Sequence, residues 1–151
     1  MNVNIKAAVD LLPRVLAADE LTPESELRQL EDELCRALGD TNFRMTHSTQ
    51  HHTHHYLRSV DACVGLLGRH APWLCPVLDY SGVSARLVNG AGCPVNGHDH
   101  FTVASTMPAA LCGAVICAFA DAAARNPEYQ QGYVPPEPAA RVGMWSGERV
   151  R

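Results

Sequence analysis

Residues 106–125 read TMPAALCGAVICAFADAAAR, and this stretch decides the fold of the chain. Thr106 is placed to cap a helix, and Pro108 falls in the first turn, where the backbone N–H groups have no partner within the helix. The rest is apolar around nearly the whole circumference, with Asp121 as the main exception. Such a helix is buried between layers or at a subunit interface. We therefore predict a buried helix to about Arg125, and a homo-oligomer to cover the apolar surface that remains.

Upstream of this helix, residues 73–80 and 83–88 predict a pair of antiparallel strands joined by the turn at 80–83. Pro76 lacks an N–H for the ladder, which restricts the first strand to an edge or a bulge. Residues 100–104 predict a third strand, after a Gly- and Asn-rich turn at 89–97. A further short edge strand at 43–45 also fits the pattern.

Three helices are predicted before the strands. The first covers 4–19 and is interrupted or kinked at Pro13. The second has Thr22 as its cap and Pro23 at the first helical position, and Gly39 ends it. The third is capped by Ser59 and ends near residue 68. Its inward-facing side chains are predicted to be Val60, Cys63, Val64 and Leu67.

This order of elements predicts an α+β fold, with a small antiparallel sheet of about three strands packed in layers with about four helices. We expect an N-terminal helix over 1–21 and a sandwich-like core domain over 22–126. Residues 127–151 are rich in Pro, Glu and Gln without a period, which predicts a flexible C-terminal tail.

The composition narrows the classes of partner. The chain has 151 residues and a formal net charge of −4, and Lys6 is its one lysine. A protein that binds duplex nucleic acid usually carries a basic stripe, so this class of partner is not expected. Isolated arginines suit a small anionic ligand, because a guanidinium group can donate two parallel hydrogen bonds to one phosphate. No run is long enough to span a membrane.

The cysteines are predicted to be reduced core residues in a cytoplasm, because no CxxC pair and no signal peptide accompany them. The six positions are Cys35, Cys63, Cys75, Cys93, Cys112 and Cys117.

Two stretches, with weaker support from a third, resemble the phage ABA-sandwich domain family, a group of small proteins of bacteriophages and prophages. Residues 56–62, YLRSVDA, look like the family's tyrosine-led helix start, and residues 106–124 look like its Thr, Pro, Ala-Leu-Cys run with an alanine-rich continuation. The acidic helix at 27–38 is a weaker third point, and together the stretches lie within 22–126. The resemblance implies a layered α/β fold and a phage accessory protein in the host bacterial cytoplasm. The resemblance implies a biological setting but no particular reaction, since the function of most members of the family is uncharacterised.

A ligand site is predicted around the loop at 89–97. Its glycines let the backbone approach a ligand closely, and its asparagine side chains can form hydrogen bonds with a base or a ribose. Aromatic stacking and arginine donors would complete a site for a small nucleotide. The predicted ligand-binding residues are Tyr56, Arg58, Arg86, Asn89, Asn96, His98 and His100.

The absence of a P-loop, a GxSxG elbow, an HExxH motif and a dinucleotide glycine fingerprint favours binding over turnover. We therefore expect a non-enzymatic counter-defence protein that sequesters a small nucleotide immune signal, with no cofactor. One alternative is a protein-binding inhibitor or a structural phage component.

A third hypothesis is a metal-dependent hydrolase. Histidines two apart share one face of a strand, and imidazole nitrogens suit zinc. The candidate ligands are His52, His54, His98 and His100, from two segments that would have to converge.

Overall fold

The computed structural model describes residues 4–40, 55–89, 92 and 101–125. Within these ranges it contains four helices and one sheet, which confirms the α+β fold class. The helices are α1 (Ile5–Ala17), α2 (Glu24–Leu38), α3 (Val60–His70) and α4 (Met107–Arg125), and the strands are β1 (Leu74–Asp79), β2 (Ser84–Asn89) and β3 (Thr102–Val103). The sheet is antiparallel with the order β1-β2-β3. The possible strand at 43–45, the predicted tail and the turn residues 90, 91 and 93–97 lie outside the described residues.

The first two helices begin with different caps. The side chain of Asn4 accepts a hydrogen bond from the N–H of Ala7, and α1 then continues through Pro13 rather than being interrupted there. The prediction that Thr22 caps α2 is wrong. The N-cap is Pro23, without a side-chain hydrogen bond, because the hydroxyl of Thr22 instead accepts from the N–H of Asp19 in the preceding turn. Gly39 ends α2 in the left-handed conformation, as predicted, with φ of 67°.

The third helix is capped as the sequence predicts. The side chain of Ser59 accepts from the N–H of Ala62. The helix runs to His70, two residues beyond the predicted end. Val64 was predicted to face inward, but 43% of it is exposed, whereas Leu66 is fully buried. Cys63 and Leu67 are buried as predicted, so only the placement of Val64 on the inward face is wrong.

Strands β1 and β2 form the predicted antiparallel hairpin, with the turn between Asp79 and Ser84. Asp79 pairs with Ser84 across the turn, and Val77 pairs with Arg86. Val83 closes the turn with φ of 48°, a conformation that a β-branched residue rarely adopts. Pro76 lies in an edge strand, as expected from its missing N–H. The third strand is shorter than predicted, since Phe101 and Ala104 lie outside it.

The core is organised around α4, which packs against α1, α3 and all three strands. A Cβ on Gly113 would lie 2.7 Å from Cδ2 of Leu16, so a larger residue there would displace the Leu16 side chain between α1 and α4. Residues 109–112 and 114–116 are buried to within 1% of complete. The burial predicted for this helix is confirmed. Residues 109–116 of α4 are buried within one chain, so their burial does not need an oligomer, and the predicted homo-oligomer stays a prediction.

Five cysteines lie in the described residues, and none of them forms a disulfide there. Cys35, Cys63 and Cys112 are buried, whereas Cys75 is exposed, which corrects its assignment to the core. Cys75 alternates with inward-facing residues along β1, so its side chain points to the opposite face. In the described part of the chain, no helix is long and apolar enough to cross a membrane.

Candidate functional site

The sheet has one face against α4 and one that remains accessible. Because side chains alternate along a strand, Ala85, Leu87 and Thr102 point toward α4, and the hydroxyl of Thr102 donates to the carbonyl of Ala110 in that helix. The opposite face carries exposed side chains, and we call it the outer sheet face. It is formed by Val77, Asp79, Arg86, Phe101 and Val103.

A cavity of about 250 Å³ opens on the outer sheet face. Val77 and Arg86 face each other across the β1–β2 pair, and Phe101 precedes β3 with 55% of its surface exposed. The cavity therefore presents a cation, an aromatic ring and an aliphatic wall within one site. Its lining residues are Val77, Asp79, Ser84, Ala85, Arg86 and Phe101.

Asp79 supplies a negative charge at the edge of this cavity. Its Oδ1 accepts hydrogen bonds from the hydroxyl of Ser81 at 2.6 Å and from the N–H of Ser81 at 3.0 Å. These bonds, with a weaker one from the N–H of Gly82, lower the pKa of the Asp79 carboxyl. Asp79 is thus a carboxylate at neutral pH, able to accept a hydrogen bond from a hydroxyl or amino group of a ligand.

A second polar cluster is buried and joins α2 to the start of α3. Glu31 is 2% exposed, although it belongs to a charged residue type. Its Oε2 accepts from the N–H of Leu57 at 3.1 Å, and its Oε1 accepts from Nε and Nη2 of Arg58 at 3.1 and 2.5 Å. Arg58 also reaches Glu24 at 3.1 Å. Burial raises the pKa of the Glu31 carboxyl, and the bonds from Arg58 and Leu57 oppose this shift only in part.

Asp40 is the centre of the adjoining part of this cluster, immediately after α2. It is fully buried, and its carboxylate accepts from the hydroxyl of Tyr56 and from Nε and Nη2 of Arg69, the latter two at 3.2 and 2.6 Å. The thiol of Cys35 donates to the carbonyl of Asp40 at 2.7 Å, and burial raises the pKa of Cys35 to about 12. Burial, followed by the hydrogen bond to Asp40, also raises the pKa of Tyr56. The hydrogen bond from Tyr56 thus joins the end of α2 to the residues just before α3, although the two residues lie 16 positions apart in the sequence.

The predicted ligand-binding residues do not lie in one place. Tyr56 and Arg58 belong to the buried cluster, where their polar groups bond Asp40, Glu31 and Glu24. Arg86 lies on the outer sheet face.

Asn89 is buried at the end of β2, opposite Leu74. The other predicted ligand residues, Asn96, His98 and His100, lie outside the described residues. So do His52 and His54 of the metal hypothesis. Within the described ranges, no group of three or more His, Cys, Asp or Glu residues could hold a metal ion.

Sequence reasoning missed Phe101 on the outer sheet face, and Glu31 and Asp40 in the buried cluster. A signal existed for Glu31, since it lies four residues after Leu27 and three before Leu34 on the apolar face of α2. A carboxylate on such a face requires a cationic partner. For Phe101 the signal was strand alternation, which places it on the same face as Val103.

No family model, curated protein or solved structure matches this chain. The resemblance to phage ABA-sandwich proteins therefore stays a prediction.

Proposed function

We propose that the chain is a non-enzymatic binding protein that holds a small anionic, nucleotide-like ligand on the outer sheet face. The observation that carries this proposal is that Arg86 and Phe101 line one accessible cavity. The phage resemblance supports a role in counter-defence, in which the protein sequesters a nucleotide immune signal of the host without changing it. That role rests on analogy between families.

The chemistry of the cavity fits the three parts of a nucleotide. The guanidinium of Arg86 can donate two parallel hydrogen bonds to a phosphate. The ring of Phe101 offers a stacking surface for a base, which contributes about 1–3 kcal/mol per base. The carboxylate of Asp79 can accept hydrogen bonds from ribose hydroxyls. Tyr56 and Arg58 do not contact the ligand at this site, since they stabilise the junction of α2 and α3.

The size of the cavity limits how the ligand is held. At about 250 Å³ it is smaller than the roughly 300–1,000 Å³ of pockets that enclose drug-sized ligands. The site therefore encloses one nucleotide unit of a larger signal and leaves the rest at the surface. The Asp79 carboxylate lines the same cavity as Arg86 and repels further negative charge on a ligand there.

The test is calorimetric titration of the full chain with mononucleotides, cyclic di- and trinucleotides and cyclic ADP-ribose isomers, followed by heat release and analysis of the ligand. Loss of one charged hydrogen-bonding group weakens binding by about tenfold to a hundredfold, so this is expected for Arg86→Ala. We expect about tenfold weaker binding for Phe101→Ala. Arg28→Ala is the matched control, because Arg28 is an exposed arginine on α2.

Intact ligand recovered after heating, with both variants weakened and the control unchanged, supports sequestration on the outer sheet face. No binding of any of these compounds removes the proposal. Binding that is equally strong in Arg86→Ala and Phe101→Ala places the ligand elsewhere, and a degraded ligand favours the metal-dependent hydrolase instead.

Protein binding through the same face is the second candidate function. Val103 is 55% exposed, and Tyr80 in the adjoining turn is also exposed, together with Val77. Clustered exposed apolar side chains mark protein interaction sites, and a second copy of the chain is the first partner to test. Sedimentation should then show a dimer that Val103→Asp dissociates. A wild-type chain that stays monomeric at high concentration contradicts self-association through this face.

A further inference from the structure

Two buried cysteines lie on the neighbouring helices α3 and α4, away from the outer sheet face. Cys63 and Cys112 are both fully buried. They lie on neighbouring helices, since α3 packs against α4. Neither residue belongs to the cavity or to the cluster of charged side chains.

The hydrogen bonds of Cys63 locate its sulfur beside the first turns of α4. Its thiol lies 3.1 Å from the carbonyl oxygen of Tyr56 and 3.7 Å from that of Pro108. Pro108 is one helical turn before Cys112, and side chains in a helix lean back over the preceding turn. The Cys112 sulfur therefore lies over the same carbonyl that Cys63 approaches from α3. The neighbouring Cys112 thiol, followed by burial, raises the pKa of Cys63.

We propose that Cys63 and Cys112 form a disulfide that fastens α3 to α4 when the protein meets an oxidant of the small-molecule disulfide class. We expect the bond to form without a large rearrangement of the helices, because the Cys63 sulfur already lies 3.7 Å from the carbonyl one turn before Cys112. The exposed Cys75 has no comparable geometry, since it lies on the other face of the sheet.

The reaction proceeds by two thiol–disulfide exchanges. One thiol loses its proton, and the thiolate attacks oxidised glutathione, forming a mixed disulfide and releasing one glutathione thiolate. The second protein thiolate then attacks the protein sulfur of that mixed disulfide, forming the bond between Cys63 and Cys112 and releasing the second glutathione thiolate. The two protons pass to the released thiolates, and the two electrons lost by the protein reduce the glutathione disulfide.

Burial controls the rate of this reaction. The thiolate is the nucleophile, and the raised pKa of Cys63 keeps its thiolate fraction low in the closed structure. Oxidation therefore waits for local opening between α3 and α4, and the bond then prevents further opening. The cross-link closes a loop of roughly 50 residues, which should raise Tm by about 10 °C.

The experiment is to oxidise the full chain with oxidised glutathione, both in its folded form and during refolding from denaturant, where burial no longer limits access. Digestion with trypsin and an Asp-specific protease separates residues 61–69, which contain Cys63, from 99–120. Because 99–120 also contains Cys117, a Cys117→Ala variant assigns the partner by mass spectrometry. Cys35→Ala is the matched control, since Cys35 is a buried cysteine on another helix.

The expected result is one cross-linked peptide pair, lighter by two hydrogens than the separate peptides, in wild type, Cys117→Ala and Cys35→Ala. It should form more slowly in the folded protein than during refolding. Cys63→Ala should lose both the cross-link and the rise in Tm. A reduced pair after oxidative refolding overturns the proposal, as does pairing of Cys63 with any other cysteine. This outcome is independent of nucleotide binding at the outer sheet face.

Discussion

Replacing Glu31 by alanine removes the acceptor of three hydrogen bonds from the junction of α2 and α3. The N–H of Leu57 is buried and loses the Glu31 oxygen that it contacts at 3.1 Å. An unsatisfied buried N–H costs about 1–3 kcal/mol. Arg58 loses its 2.5 Å contact, but it is 26% exposed and keeps Glu24 at 3.1 Å, so water and Glu24 compensate it in part.

We therefore expect Glu31→Ala to lower the free energy of unfolding by about 3 kcal/mol, at the lower end of the values for a broken buried ion pair. Glu33→Ala is the control, since Glu33 lies on the same helix and pairs with Arg14 at 2.7 Å. The Glu33 side chain is 32% exposed, and exposed pairs contribute about 0–1 kcal/mol. The change in helix propensity is the same in both variants and cancels in the comparison.

The assay is urea unfolding at pH 7, followed by circular dichroism, with the slope of the unfolding free energy against urea compared between variants. Equal slopes show that both variants unfold from similarly compact states. If Glu31→Ala and Glu33→Ala lose the same stability, or differ by less than about 1 kcal/mol, the assignment of Glu31 as the buried anchor of α3 is wrong.

Three further predictions concern the same core. The pKa of Glu31 is raised from 4.5, so its protonated form favours the folded state. The free energy of unfolding that wild type gains over Glu31→Gln should therefore be fully present below about pH 4.5 and lost as the pH rises through the raised pKa. A wild-type advantage that grows with pH in urea titrations would show that pairing outweighs burial. Tyr56→Phe removes one donor from Asp40 and should cost about 2 kcal/mol, and unchanged unfolding would contradict that hydrogen bond. Gly113→Val overpacks the contact with Leu16 and should cost roughly 1–3 kcal/mol, whereas an unchanged Tm would refute the close approach of α1 and α4.

Signals that act within a few residues predicted most of the fold. The hydroxyl of Thr106 accepts from the N–H of Ala109, and Pro108 lies in the first turn of α4, as the sequence indicates. Ser59 and Gly39 likewise mark helix ends. These positions were predictable because a cap or a left-handed residue satisfies backbone groups of its own helix.

The site was harder to predict, since it depends on contacts between distant segments. Arg58 lies 27 residues after Glu31 and Arg69 lies 29 after Asp40, and no local pattern specifies these pairs. Arg58 therefore looked available for a ligand in the sequence and proved to be held by carboxylates. Arg86 was placed correctly in a strand, but its proximity to Phe101 depends on how β3 pairs with β2, which the hairpin alone does not fix.

The separation of the two clusters allows binding to be tested without confusion from folding. Glu31 and Asp40 are buried, and their partners are structural, so their substitution should lower stability. Arg86 and Phe101 are exposed on the outer sheet face, where substitution usually changes stability by less than about 0.5 kcal/mol. A variant of Arg86 that loses ligand binding but unfolds like wild type would therefore report on the site itself. If that variant also unfolds more easily, Arg86 has a structural role in the sheet, and the proposed binding function loses its main support.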